Sequence, residues 1–156
     1  DYSEIKGEMK NFEKLFFTGR IDEFFDFLDW EKLQYRSLNF RHKTLELEFF
    51  QTRAQINYPN EYKFTRIVEP KHATGQKHPK TTIIKEYPVY NEKEPYYPVP
   101  NPENKKIYEK YANESKKLEK KGIYFIGRLA NYKYFNMDQA FENALNLFNS
   151  LKKNDK

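Results

Sequence analysis

The apolar run Ile123-Tyr124-Phe125-Ile126 follows Gly122. Beyond it Met137, Ala140, Phe141, Ala144, Leu145, Phe148 and Leu151 recur at steps that place them on one side of a helix. A short buried strand must therefore pass into a helix across the loop Gly127 to Phe135. Asn136 stands at the N-cap position and Gln139 can complete a capping box, while Asp138 in the first turn favours the positive end of the helix dipole. The loop carries Arg128. Unpaired backbone N–H groups at a helix start can receive a phosphate or an electron-rich ring oxygen, and the same geometry also serves an ordinary strand-to-helix crossover.

At 156 residues the chain is expected to form one domain. Hydrophobic residues make up only 38% of it, yet 18% of the chain is aromatic, with 13 Tyr and 14 Phe, so the core has to be built from rings more than from aliphatic side chains. Tyrosine in this abundance also suggests a polar, ring-lined cleft. Against 23 Asp+Glu stand 28 Lys+Arg, and the resulting net charge of +5 favours anionic partners, although most of it reads as a mixed, solvated surface. With no cysteine, disulfides, thiolate catalysis and cysteine-ligated metals are excluded. His42, His72 and His78 lack the spacing of metal ligands and read as surface or loop residues, so no metal is expected. No apolar run approaches the ~20 residues of a membrane span, and no charged-then-apolar leader opens the chain, so a soluble, cytoplasmic protein is expected. A start at Asp1 and a lysine-rich end read as an excised piece of a longer protein, with 152–156 as a disordered tail.

Taken in order, Ser3 can cap a short helix through Ile5, Met9 and Phe12, and Leu15-Phe16-Phe17 reads as a strand stopping at Thr18-Gly19. Ile21 to Phe27 gives a helical turn or two. Between Leu33 and Phe50 the pattern predicts two antiparallel strands meeting near Arg41-His42-Lys43-Thr44. Further strands are expected over Arg53 to Tyr58, Phe64 to Glu69 and Thr81 to Tyr87. Pro88 to Pro102 is too proline-rich for a central strand and reads as a connection. Asn101 then caps a helix with Pro102 at its first position, and Ile107, Tyr108, Tyr111, Ala112, Ser115 and Leu118 form its inner face. Its lysines alternate with Glu103, Glu109, Glu114 and Glu119.

Six stretches in order carry a resemblance to a known family. They are Thr18-Gly19-Arg20-Ile21-Asp22 with Phe25; Leu33-Gln34-Tyr35-Arg36-Ser37-Leu38; Gln55-Ile56-Asn57-Tyr58-Pro59; Thr65-Arg66-Ile67 with Glu69, Lys71 and His72; Lys85-Glu86-Tyr87 leading to Tyr96-Tyr97-Pro98; and Gly127-Arg128-Leu129 with Tyr132, Tyr134, Met137 and Asp138. Together they resemble the C-terminal portion of the UDP-galactopyranose mutases, flavoenzymes that isomerise the sugar ring of UDP-galactose.

The resemblance implies an α+β fold. An antiparallel sheet of about five to six strands with flanking helices would occupy residues 1–122 and line the substrate cleft, and residues 123–151 would be the last strand, loop and helix of an FAD-binding domain. No Gly-x-Gly-x-x-Gly occurs, so the adenine half of FAD has no recognisable site in the chain, and the chain alone is expected neither to retain FAD nor to turn over substrate. In the parent, reduced FAD is implied to attack the anomeric carbon and displace UDP. The resulting flavin-sugar adduct opens and recloses as a five-membered ring, interconverting UDP-galactopyranose and UDP-galactofuranose for cell-surface polysaccharide. By position, Arg66 matches a diphosphate-binding arginine, Tyr97 and Tyr134 match tyrosines that bind the same group, and Asn57 and Glu86 match cleft positions. Arg128, Asn136 and Met137 match the flavin-contacting turn, and the resemblance admits a homo-oligomeric parent.

From the residues themselves, an arginine inside an apolar strand requires a carboxylate or phosphate partner, and Glu69 or Glu86 could be that partner as well as a ligand could. Tyr97 can aim its phenol from a proline-flanked segment or pack on Tyr96. The chain has Ala130 and Asn136 where the family pattern has glycine and aspartate, so another nucleotide sugar is an alternative substrate. A basic, aromatic nucleic-acid module would account for the pI of about 9.1 but not for the six ordered motifs, so no nucleic-acid partner is expected.

Overall fold

The computed structural model describes residues 2–90 and 94–154. In chain order its elements are α1 (Tyr2–Ile5), a 3-10 turn (Lys6–Asn11), β1 (Leu15–Phe17), α2 (Ile21–Phe24), a 3-10 turn (Asp26–Asp29), β2 (Tyr35–Leu45), β3 (Gln55–Asn57) and β4 (Arg66–Val68). Then follow α3 (Lys71–Thr74), β5 (Thr81–Val89), β6 (Tyr97–Pro98), α4 (Pro102–Glu119), β7 (Ile123–Phe125) and α5 (Met137–Asn154). The fold is α+β and its larger sheet antiparallel, as expected. The side chains of Ser3, Ile5, Met9 and Phe27 lie outside the described residues, as do Asp155 and Lys156 of the expected tail. No described helix is long and apolar enough to cross a membrane.

The chain divides into two compact units, residues 1–35 with 95–156 and residues 36–94. In the first, β1 and β7 pair in parallel, Leu15 opposite Ile123 and Phe17 opposite Phe125. The core is built from rings. Phe24 lies 5.0 Å from Phe17 and 4.6 Å from Phe125 in edge contacts, and buried Tyr111 on α4 packs on Trp30 at 4.9 Å. Such pairs contribute roughly 0.5–1.5 kcal/mol each beyond the area they bury. Burial, with the charge of Asp22 adding to it, pushes the Tyr111 phenol up to about 12. The Asn101 side chain accepts from the Asn104 N–H at 2.7 Å, and Pro102 follows at the first helical position, so α4 starts where its cap and proline dictate. Asn136 N–H donates to Gln139 Oε1 at 3.0 Å, one half of the capping box at α5. The apolar stripe of α5 is largely uncovered, with Phe141 71% and Phe148 60% exposed.

In the second unit the strands run in the order β3-β4-β5-β2. Two expectations are corrected here. The expected pair of strands meeting near Arg41 to Thr44 is a single strand, β2, paired with β5 along a continuous register from Ser37 opposite Val89 to Leu45 opposite Thr81. No glycine or proline interrupts 35–45, and polar residues on an exposed face do not make a turn. The strand β5 also continues through Pro88 to Val89, where the sequence pattern predicts a connection. Proline is tolerated there because β4 pairs only as far as Glu86, leaving β5 a single neighbour at Pro88. One face of this sheet is packed. Ile67 and Ile83 are buried with Phe64 against Leu45, Tyr58 and Tyr87.

Candidate functional site

Each unit carries its own cluster of the residues singled out by sequence. In the second unit the register places Asn57 opposite Arg66, and Arg66 opposite Glu86, on three adjacent strands. Residues opposite one another share a face, and this is the face that the buried Ile67 and Ile83 turn away from. Arg66 Nε lies 3.3 Å from Glu86 Oε2, an ion pair without hydrogen-bond alignment, since the same Nε has no hydrogen-bond partner. The guanidinium also donates from Nη1 to Gln55 Oε1 at 3.4 Å, and Gln55 Nε2 donates to Asn57 Oδ1 at 3.2 Å. Gln55 thus links the strand-edge carboxamide to the arginine, a connection the sequence reading missed.

Arg66 is more solvated than its apolar flanks suggest. Its side chain is 37% exposed, against 13% for Glu86. Of five guanidinium N–H donors, one makes a hydrogen bond among the described residues, and a long one. A partly paired, forked cation on an open sheet face can still take a bidentate oxyanion.

In the first unit Arg128, Tyr97 and Tyr134 come together. The two phenol rings stack at 5.4 Å with an interplanar angle of 17°, and the Arg128 guanidinium carbon lies 4.8 Å from the Tyr97 centroid and 5.2 Å from that of Tyr134. Tyr97 therefore pairs with Tyr134. Arg128 donates from Nη2 to the Phe135 carbonyl at 2.6 Å and from Nη1 to the Tyr96 carbonyl at 3.4 Å. Among the described residues no carboxylate lies within ion-pair distance of it, so its charge has carbonyls and ring faces for company but no counter-charge. Gly127 opens this loop at φ +96°, a conformation that favours glycine, and its N–H donates to Asn131 Oδ1 at 3.1 Å. Asn136 and Met137 stand exposed at the start of α5, Met137 by 90%. Ala130 is fully buried with Phe17 and Phe24, so its methyl group fills core volume.

Other residues of the recognised stretches hold the fold. Buried Arg20 donates from Nη2 to Asp22 Oδ2 at 2.9 Å and lies 4.7 Å over the Tyr35 ring, while Asp22 Oδ2 accepts from Leu33 N–H at 3.1 Å. Glu69 is wholly buried and accepts from Phe50 N–H at 2.9 Å, Gln51 N–H at 3.0 Å and Thr81 Oγ1 at 2.6 Å. Burial by itself raises this carboxyl, but those hydrogen bonds and His72 outweigh it and hold the group below its usual range. Lys71 donates to the carbonyls of Glu48 and His78, closing the same loop.

Each unit thus presents one arginine that is only partly neutralised among the described residues, Arg66 beside carboxamides and Arg128 beside phenols. Comparison with known proteins supplies the class. The family model described as UDP-galactopyranose mutase matches residues 1–134. The chain is 36% identical over 146 residues to a dTDP-fucopyranose mutase of Escherichia coli, covering 91% of the chain and 38% of that protein. It is 37% identical over 147 residues to a UDP-galactopyranose mutase of Mycoplasma genitalium, covering 82% and 36% respectively. A probable UDP-galactopyranose mutase of Klebsiella pneumoniae is 31% identical over 142 residues, covering 88% and 36%. The chain belongs to the UDP-galactopyranose mutase family and spans rather more than a third of the length of these relatives.

Proposed function

We propose that the chain is the C-terminal portion of a cytoplasmic, flavin-dependent isomerase that interconverts the pyranose and furanose forms of UDP-galactose. The observation that carries this reading is the row Asn57, Arg66 and Glu86, three candidate residues set side by side on one sheet face with the guanidinium only partly paired. In this reading Arg66 binds the diphosphate as a forked donor, Glu86 keeps the fork oriented, and Asn57 offers a carboxamide to sugar hydroxyls. Tyr97 and Tyr134 are assigned as phosphate-directed phenols.

The residues present fit a flavin edge. Among the described residues Arg128 has no carboxylate partner, and the exposed first turn of α5 leaves backbone N–H groups unpaired beside Met137. Arg128, Asn136 and Met137 would hold the cofactor there. When bound, reduced FAD supplies the nucleophilic electron density that the exchange of UDP at the anomeric carbon requires. The chain's own part is to hold the diphosphate while it is detached and to fix the sugar's orientation.

A second reading has one observation in its favour: the dTDP-fucopyranose mutase is as similar to the chain as the UDP-galactopyranose mutases are. The test is to supply the longer polypeptide, loaded with FAD and reduced by dithionite, with UDP-galactopyranose and dTDP-fucopyranose in parallel. Formation of the furanose from the first supports the proposal; turnover of the second alone replaces it with the alternative. The chain by itself is expected to turn over neither.

A further inference from the structure

A cavity of about 260 Å³ in the second unit is bounded by Thr44 of β2, Thr81 and Thr82 of β5, Lys71 of α3, and His78 and Lys80 of the loop between α3 and β5. The described residues that line it include no carboxylate. Thr82 shares a face with Glu86 but stands four residues from it along β5, ~13 Å at the rise of a strand, so the cavity is separate from the Arg66 row.

Its electrostatics are one-sided. Lys71 is 6% exposed, and its ammonium donates to the carbonyls of Glu48 at 2.7 Å, of Lys80 at 3.3 Å and of His78. Three acceptors satisfy its three N–H groups, but carbonyl dipoles do not cancel a buried charge. Among the described residues no carboxylate lies within ion-pair distance of it; that of Glu69 is taken up by Phe50, Gln51, Thr81 and His72. Lys80 adds a second ammonium, paired at 2.7 Å with Glu46, whose side chain is 79% exposed. A solvated pair of that kind is worth about 0–1 kcal/mol, so a ligand can draw the lysine away from it at little cost. The hydroxyls of Thr44 and Thr82 lie 3.0 Å apart, and since only one donates to the other, the second O–H is left to donate elsewhere. His78 Nδ1 accepts from the Lys80 N–H at 3.0 Å, which places the ring proton on Nε2 as a further donor.

We propose that this cavity binds a phosphate dianion, free or at the end of a compact monoester. The dianion meets Lys80, the donating hydroxyl of the threonine pair and His78, while Lys71, its N–H groups already spent, contributes charge alone. The volume falls below the ~300–1,000 Å³ of pockets that enclose drug-sized ligands, so it suits a tetrahedral oxyanion with a short carbon chain rather than a nucleotide sugar. The site stands whether or not Arg66 binds a diphosphate.

The test is calorimetric titration of inorganic phosphate into the longer polypeptide, in chloride buffer of matched ionic strength, beside Lys80→Gln, Thr82→Val, Thr82→Ser and Arg66→Ala. Phosphate should bind saturably and raise the melting temperature. Lys80→Gln and Thr82→Val should each weaken it roughly tenfold, the loss of one charge-assisted contact. Thr82→Ser, which keeps the hydroxyl, and Arg66→Ala should bind as the unsubstituted protein does. Melting temperatures without phosphate, unchanged in all four, show that the variants are folded. A parallel titration with glycerol 3-phosphate separates the sources: equal or tighter binding assigns the site to monoesters, and no binding assigns it to the free ion. Absence of saturable phosphate binding would overturn the proposal. So would binding that survives both Lys80→Gln and Thr82→Val, or binding lost in Arg66→Ala, which would put the anion on the Arg66 row instead.

Discussion

Arg66 and Glu86 face each other across β4 and β5 with Nε 3.3 Å from Oε2, yet the arginine side chain is nearly three times as exposed as its partner, 37% against 13%. An ion pair of that kind is worth about 0–1 kcal/mol in stability. It orients the guanidinium more than it neutralises it, and an oriented, partly solvated fork is what an incoming oxyanion can use without first breaking a strong bond.

The pair Arg20 and Asp22 behaves in the opposite way. Both side chains are buried, at 4% and 0% exposure, and Asp22 also accepts from the Leu33 N–H. Asp22→Ala removes the buried carboxylate and leaves Arg20 with the exposed Glu23 at 3.3 Å, so it should destabilise the first unit by roughly 3 kcal/mol. Denaturant unfolding followed by tyrosine and tryptophan fluorescence measures it; a loss below about 1 kcal/mol would show that the pair is dispensable.

Glu69 gives a pH dependence. Its carboxyl is held below the usual range in the folded chain, so the unfolded chain takes up the proton first as pH falls. The stability it contributes is full above the ordinary glutamate value of about 4.3 and is lost as pH drops through the lower folded value. Glu69→Gln, which loses one carboxylate oxygen facing Phe50, Gln51 and Thr81, should cost roughly 1–3 kcal/mol at neutral pH and flatten the acid limb. Unfolding free energies measured from pH 7 down to about pH 3 test both points, and an unchanged acid limb would contradict the assignment.

Arg128 is assigned to the flavin rather than to UDP. In the longer polypeptide, Arg128→Ala should lower the flavin retained per protein, since a charged donor contributes roughly 1.5–3 kcal/mol. Flavin absorbance relative to protein after gel filtration reports it. Full retention would move Arg128 to a purely local role, tying the Phe135 and Tyr96 carbonyls together.

Much of the fold is written locally. The caps at Asn101 and Asn136 mark where α4 and α5 begin, at Pro102 and Met137, while α5 runs on to Asn154, past its last apolar position at Leu151. The long β2 strand was not legible because Arg41, His42, Lys43 and Thr44 look like a turn in composition; only pairing with β5 shows that they are extended. The degree of exposure of Arg66 could not be read from its flanks either, since Ile67 turns to the opposite face of the strand. The candidate residues came from resemblance, and their adjacency did not, because it depends on register between strands far apart in sequence. The link that Gln55 makes between Asn57 and Arg66 is invisible in sequence for want of that register.

The central claim is that Arg66 binds the diphosphate of the nucleotide sugar. Titration of UDP into the longer polypeptide and its Arg66→Ala and Arg66→Lys variants tests it most directly. The account predicts that alanine weakens UDP by about one to two orders of magnitude, that lysine restores only part because it keeps the charge without the fork, and that flavin content is the same in all three. Equal UDP affinity in all three proteins would contradict it, leaving Arg66 as the structural partner of Glu86.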